Sequence, residues 1–411
     1  MEDRKNRIYR TIMAVVLTAF VTFMITSFGM YSYLKDSQGT LSANNNSILE
    51  ELTTSSDSSL EKYLNKIKAT LNKYYLWKND INEEDLKNSA IQGYVAGLGD
   101  EYTEYIPSDK MKDYTENIMG NFVGVGIYMV ADEKSDRVLV YYPIPETPAD
   151  KAGIKPGDLI ISVDGTEYTA KDFKNISSFI KGKEGTKVNL VIERDGERMS
   201  FDLIREKITT NPITTKLLDN NIGYIKVPSF DEDTSNGFKE KVKELENQGA
   251  KKIIIDLRNN GGGIVDEAVN IADFLLEKGK PIISTVDNKD KKTVTYSKND
   301  PTITIPVVVL VNENSASASE ILACSLQDNE RAKLVGTKTY GKGVIQTVLS
   351  LADGSGLKIT TEQYYTPKEV SIHKKGIEPN EEVKLPESVK NIYAVEENED
   401  TQLQKAIEML K

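Results

Sequence analysis

Between Asn312 and Asp328 the chain reads NENSASASEILACSLQD, and Gly341-Lys342-Gly343 and Gln346 follow a short way downstream. A run of small residues opening a helix, with a glycine-flanked lysine after it, is what an amide hydrolase needs if it activates serine without histidine. His373 is the only histidine in the chain. The apolar run Val307 to Val311 reads as a buried strand, and a helix is expected from near Ala316. A nucleophile at that junction lies at the carboxyl end of a strand and at the positive end of a helix dipole, where a developing oxyanion is stabilised. Three serines compete for the role: Ser315 suits the helix N-cap, Ser319 falls inside the first turn, and Ser317 lies between them. Taken alone, such a run also describes an ordinary capped helix.

Lys342 gives the run a second chemical partner. A lysine between two glycines follows neither helical nor strand periodicity, and the glycines let neighbouring backbone pack closely around it. To act as a general base the amine must be neutral, and desolvation lowers a lysine pKa toward the working pH. Gln346, four residues on, shares a face with Lys342 if this segment is a strand, and could orient the amine. Residues 336–342, GTKTYGK, also satisfy the GxxxxGK pattern of a phosphate loop. The context fails, because Gly343 replaces the magnesium-binding hydroxyl and VIQTVLSL reads as strand rather than helix. His373 sits in a turn-like segment, and Cys324 is expected to be a small buried hydrophobe. No HExxH or Cys/His cluster is present, so neither a metal nor another cofactor is expected.

These residues need a scaffold. A chain of 411 residues is long enough for roughly two to three domains. Its 39% apolar and 28% charged composition describes a globular body. Its net charge of −11 gives no sign of nucleic-acid binding. Residues 11–34 are uncharged throughout, about 36 Å of helix at 1.5 Å per residue, enough for one bilayer crossing. Arg4, Lys5, Arg7 and Arg10 precede that run, so the positive-inside rule puts the N-terminus in the cytoplasm and the body outside. The expectation is a single-pass cell-membrane protein with an extracytoplasmic catalytic body. The run is long for a cleaved signal and no A-x-A site follows it.

Residues 39–59, rich in Asn, Ser and Thr, read as a flexible tether. Leu60, Tyr63, Leu64, Ile67 and Leu71 recur at helical spacing, as do Leu86, Ala90 and Val95. Such an amphipathic pair suits core packing or subunit contact, which hints at a homodimer. From about Gly120 short strands take over, with Asp164-Gly165 and Asp195-Gly196 as hairpin turns and one helix near residues 170–180. Past Glu206, strands alternate with helices, and continuous apolar runs indicate a largely parallel, buried sheet in an α/β layered domain.

The segment PADKAGIKPGD before DLIISVDG resembles a PDZ domain of the bacterial protease-associated type. The resemblance implies capture of a free peptide C-terminus by strand addition, with Gly124-Val125-Gly126-Ile127 in the place of the carboxylate-binding loop. SASASEILACSLQD, KLVGTKTYGKGVIQTV, DLRNNGGGIVDEAV, YYTP and KKGIEPN resemble the carboxyl-terminal processing proteases over essentially everything after the tether. That resemblance implies Ser317 as nucleophile and Lys342 as base, with Gln346 matching the family's glutamine. It also implies an oxyanion hole made by the amides of Ala318 and of Gly262 or Gly263, and a structural role for Asp328. Tyr340 stands where the family usually has Phe.

The resulting expectation is a multidomain α+β and α/β chain. Its parts are a cytoplasmic stub and transmembrane anchor at 1–34, a tether at 35–59, and a helical region at 60–117. A PDZ-like β-rich domain follows at 118–206, a crotonase/ClpP-like α/β peptidase domain at 207–388, and a helical tail at 389–411. The expected activity is cleavage of protein or peptide substrates near free C-termini. The rival reading is a catalytically silent PDZ scaffold.

Overall fold

The computed structural model describes residues 59–411 apart from 120, 133–134, 210–212, 390 and 394. The apolar run at 11–34 and residues 35–58 of the expected tether lie outside the described residues. Among the described residues no helix is long and apolar enough to cross a membrane.

The chain divides into a unit ending at Lys87 and a second from Asn88 to Lys411. In the first, Ser59 caps helix α1 (Leu60–Tyr74) by accepting from the Lys62 amide at 3.4 Å. No residue of α1 is buried, and Leu60 and Tyr63 on its apolar stripe are 51% and 53% exposed. Helix α2 is Glu83–Ala96.

In the second unit, β1 (Glu104–Ile106) and α3 (Ser108–Met119) precede the PDZ-like domain. That domain runs through β2 (Asn121–Gly124), β3 (Ile127–Asp132), β4 (Arg137–Pro143), the one-turn α4 (Pro148–Lys151), β5 (Leu159–Val163) and β6 (Thr166–Glu167). It ends with α5 (Phe173–Ile180), β7 (Lys187–Arg194), β8 (Glu197–Ile204) and β9 (Glu206–Thr209). One sheet has the order β3-β4-β5-β7-β8 with β6 on β5, while β2 and β9 pair antiparallel where the chain enters and leaves. Both Asp-Gly turns have two successive positive φ values, 48° and 81° at Asp164-Gly165 and 52° and 83° at Asp195-Gly196. That geometry suits tight hairpins. Ile160, Ile176, Leu190 and Ile192, fully buried, join the sheet to α5.

The peptidase part holds β10 (Thr214–Leu218), β11 (Ile222–Lys226), α6 (Thr234–Asn247), β12 (Lys252–Asp256), α7 (Val265–Leu275), β13 (Pro281–Asp287) and β14 (Lys292–Tyr296). After these come β15 (Val307–Val311), α8 (Ala318–Asp328), β16 (Ala332–Gly336), β17 (Val344–Ser350), β18 (Gly356–Tyr365), β19 (Glu381–Glu382) and α9 (Thr401–Met409). The main sheet is ordered β10-β11-β12-β15-β16-β19, parallel from β11 onward. Alternation sends Ile253, Ile255, Val309 and Val311 into one core with Phe238, Ile271 and Ile321, and Ile254, Val308 and Leu310 into another with Leu403 and Ala406. Burial on both faces is why these strands read as unbroken apolar runs. Truncating one such side chain, as in Ile255→Ala, costs about 2–5 kcal/mol.

A second sheet carries the segment after Lys342. Its order is β1-β18-β13-β14, with β17 paired to β18. The stretch expected to be only helical at 60–117 therefore donates a strand, β1, to the peptidase sheet. The β13–β14 hairpin was not legible as strand pairing, because its apolar residues are few and its turn lacks a Gly. Arg258 joins Asp256 at 2.7 Å and Asp400 at 2.8 Å. These charge-assisted bonds tie the start of α9 to the chain just ahead of the Gly261-Gly262-Gly263 run.

Candidate active site

β15 ends at Val311 and α8 starts at Ala318, so the residue at the helix entrance is Ser317. The N-cap is thus Ser317, not Ser315. Its backbone has φ 55° and ψ −115°. Such a conformation costs on the order of 1–3 kcal/mol and persists only where surroundings enforce it. A serine on a sharp, strained strand-to-helix turn is the arrangement that exposes a nucleophile. The flanking hydroxyls are spent on structure: Ser315 donates to the Leu257 carbonyl at 2.8 Å and Ser319 to the Asn260 carbonyl at 2.9 Å. The Ser317 hydroxyl donates to no acceptor among the described residues.

Glu320 enforces the turn. Fully buried, its Oε2 accepts from the amides of Ser317 and Lys342, each at 2.9 Å. Its Oε1 accepts from the Thr339 hydroxyl at 2.6 Å and the Gly341 amide at 2.8 Å. Burial pushes the carboxyl's pKa up, and these hydrogen bonds oppose the shift. The Tyr364 hydroxyl binds the carbonyls of the same two residues, at 3.2 Å for Ser317 and 2.5 Å for Lys342. Glu320 escaped the sequence reading, although Ser317-Ala318-Ser319-Glu320 fits the S-x-x-E capping pattern that would have flagged it.

The glycines around Lys342 allow close backbone packing. A Cβ on Gly341 would come within 2.7 Å of the Gly376 amide nitrogen, and one on Gly343 within 2.6 Å of that of His373. The Lys342 amine donates no hydrogen bond among the described residues and lies 4.8 Å from the ring centre of Tyr102. Burial lowers its pKa from the ordinary 10.5, helped by repulsion from Lys358 and opposed by Glu101, Asp100 and Glu320.

Gln346 is arranged differently from expectation. Its amide donates to the Thr360 hydroxyl at 3.3 Å, not to a partner at Lys342. Lys342 precedes β17, and a register shift between Ile345 and Gln346 breaks the alternation on which the shared face depended.

The glycine run lies directly against the serine. A Cβ on Gly262 would stand 2.8 Å from the Ser317 Cβ and 3.0 Å from the Ala318 nitrogen, and one on Gly263 only 2.2 Å from the Phe230 carbonyl oxygen. The Gly262 amide is already committed to Asn260 Oδ1 at 2.8 Å. Those of Gly263 and Ala318 have no acceptor among the described residues. Asp328, at the far end of α8, accepts from the Lys368 amide at 3.0 Å, away from this chemistry.

In the PDZ-like domain, Val125 and Gly126 form the turn between Gly124, which ends β2, and Ile127, which begins β3. The turn is fixed by its carbonyls, since Val125 accepts from Ala149 and Gly126 from Ile144, both at 2.9 Å. The amides of Val125 and Gly126 have no acceptor among the described residues. His373 and Cys324 take no part in a nucleophilic pair. Cys324 is buried and donates to the Ile321 carbonyl, while the His373 ring packs edge-on near Tyr102.

Residues 221–383 match the family model described as peptidase family S41, and residues 139–194 match a PDZ domain model. The carboxy-terminal processing protease CtpA of Bacillus subtilis (strain 168) is 35% identical over 350 residues, spanning 85% of this chain and 74% of that protein. A protein named "Probable CtpA-like serine protease" from Staphylococcus aureus (strain COL) is 37% identical over 343 residues, spanning 83% and 68%. Among solved structures, the photosystem II D1 C-terminal processing protease superposes with a TM-score of 0.56 at 29% identity, covering 86% of this chain and 97% of that one. The chain belongs to peptidase family S41, as a PDZ-bearing carboxy-terminal processing serine protease.

Proposed function

We propose that this protease cleaves protein substrates near their C-termini with Ser317 as nucleophile and Lys342 as general base. The observation that carries the reading is the shared anchoring of the two residues: their amides meet on Glu320 Oε2 and their carbonyls on the Tyr364 hydroxyl. Neutral Lys342 takes the Ser317 proton as the alkoxide attacks the scissile carbonyl. The unclaimed amides of Gly263 and Ala318 hold the oxyanion, while Gly262, bonded to Asn260, shapes the floor beneath Ser317. Protonated Lys342 then donates to the leaving amine. Water, deprotonated by the same lysine, releases the acyl-enzyme. Gln346 acts through the strand pair β17–β18 rather than on the amine directly. No cofactor takes part.

The PDZ-like domain captures the substrate's terminal carboxylate on the Val125 and Gly126 amides, within the loop Gly124 to Ile127, and gates the site. The uncharged run at 11–34 anchors the protease in the cell membrane with its body outside. The exposed stripe of α1, with Leu60, Tyr63, Leu64 and Ile67, is the contact of a homodimer.

A serine-reactive phosphonate tests the reading, applied with and without a peptide bearing a free C-terminus. A single adduct mapped to Ser317, formed faster with the peptide, is expected. An adduct on Ser315 or Ser319 instead would refute the assignment.

A further inference from the structure

The Lys342 amine meets a residue from a distant part of the chain. Tyr102 presents its ring 4.8 Å from Nζ, and the segment carrying it is held firmly. Asp100 accepts from the Tyr102 amide at 3.0 Å and from the Thr103 hydroxyl at 2.6 Å, and that hydroxyl accepts from the Thr360 amide at 3.0 Å. Immediately afterwards β1 pairs with β18, from Glu104 opposite Lys358 to Ile106 opposite Gly356. The ring is therefore clamped to the strand that also partners β17, the strand following Lys342.

We propose that Tyr102 is a positioning residue for the catalytic amine, its ring face holding the Lys342 ammonium and its bulk keeping water off it. The inference rests on the Ser317/Lys342 reading and adds a residue to it. The base must become an ammonium each time it takes the serine proton, in a pocket that burial makes hostile to charge. An aromatic face offers negative quadrupole density to that ammonium without the fixed charge that would keep the lysine protonated permanently. Burial holds the Tyr102 phenol well above its ordinary pKa, so it adds no charge of its own while Lys342 titrates.

The other groups around the amine do not supply this. Lys358 on β18 repels it and is itself paired with Glu104 at 2.9 Å. Glu320 on α8 is occupied by four donors. Asp100 and Glu101 attract it from beside Tyr102, but Asp100 is engaged in fixing the turn. Tyr340 neighbours the phenol, and the His373 ring lies 6.5 Å from the Tyr102 ring.

The test measures hydrolysis of fluorescein-labelled casein against pH for the full chain and for variants at Tyr102, each checked by thermal melting. Tyr102→Phe keeps the face and should retain the wild-type acid limb with a rate within about twofold. Tyr102→Leu removes the face, so the ammonium loses support and the limb should move to lower pH by about half to one and a half units. Its plateau rate should fall by roughly tenfold or more as the amine loses its seat. Because Leu could disturb packing, fluorinated phenylalanines at 102 provide a series of nearly constant shape with a progressively weakened face. The limb should step downward with each added fluorine. A limb that stays fixed across this series, or moves upward, overturns the inference, as does Tyr102→Phe behaving like Tyr102→Leu. If Lys342→Ala retains activity, it is the dyad that fails; a dead Lys342→Ala with a flat fluorine series condemns only the role of Tyr102.

Discussion

Ser317 and Lys342 are joined through one oxygen atom: each backbone amide donates to Glu320 Oε2 at 2.9 Å. Their carbonyls are joined in turn by the Tyr364 hydroxyl. The relative placement of nucleophile and base is thus fixed at the backbone. A carboxylate is suited to this because it is purely an acceptor, matching the four donors aimed at it.

Replacing Glu320 by Gln puts an NH2 among those donors. Either the amides of Ser317 and Lys342, or the Thr339 hydroxyl and the Gly341 amide, then lose their acceptor, so stability should drop by about 1–3 kcal/mol. Turnover should fall by on the order of 100-fold, because a small displacement of the dyad is expensive. Denaturant melts and casein hydrolysis check both; a variant with wild-type turnover would show that the carboxylate does not set the geometry.

The pH profile follows from the lysine. Its folded pKa lies below 10.5, and only the neutral amine can accept the serine proton. Activity should therefore rise with pH through the lysine's depressed pKa, with its midpoint below 10.5. A rate independent of pH from acid to alkaline would exclude a titrating base.

Much of this site was legible in the sequence, and the reasons for the remainder are physical. Small residues at a helix entrance and a lysine that obeys no periodicity mark the two segments, but local pattern leaves Ser315, Ser317 and Ser319 open, and it is the family resemblance that implies Ser317 and Lys342. Glu320 sits on a regular helix, and only the capping pattern S-x-x-E distinguishes it from a surface acid. Tyr102 gave no signal at all, because its role depends on β1 pairing with β18, a contact between residues distant in sequence. The Gln346 expectation failed since a bulge cannot be read from alternation. The main sheet was readable because burial on both faces leaves continuous apolar strands, whereas β13 and β14 mix apolar residues with Ser, Thr, Asp and Lys and blend into polar sequence.

Gly262 tests how tightly the glycine run supports the nucleophile. Its φ of 104° already disfavours a side chain. An added Cβ would stand 2.8 Å from the Ala316 carbonyl oxygen and from the Ser317 Cβ. Gly262→Ala should lower kcat by about 100-fold or more and also lower the melting temperature, since backbone must shift to admit the Cβ. Unchanged kcat would separate the run from catalysis.

Recognition of a terminal carboxylate predicts a preference that synthetic peptides can measure. The same peptide with a free acid should bind at least about tenfold more tightly than its amide, since hydrogen bonds to a charged acceptor are the strong ones. Gly126→Ala, whose Cβ would meet the Thr147 side chain at 2.4 Å, should erase the difference. Equal affinity for acid and amide in the unaltered protein would argue that substrates are chosen by another feature.

The central claim, that Lys342 is the base for Ser317, is tested most directly by the turnover of purified Lys342→Ala beside Ser317→Ala. Both should melt close to the unaltered protein and cleave casein at least about 1,000-fold more slowly. Substantial cleavage by a correctly folded Lys342→Ala would contradict the account.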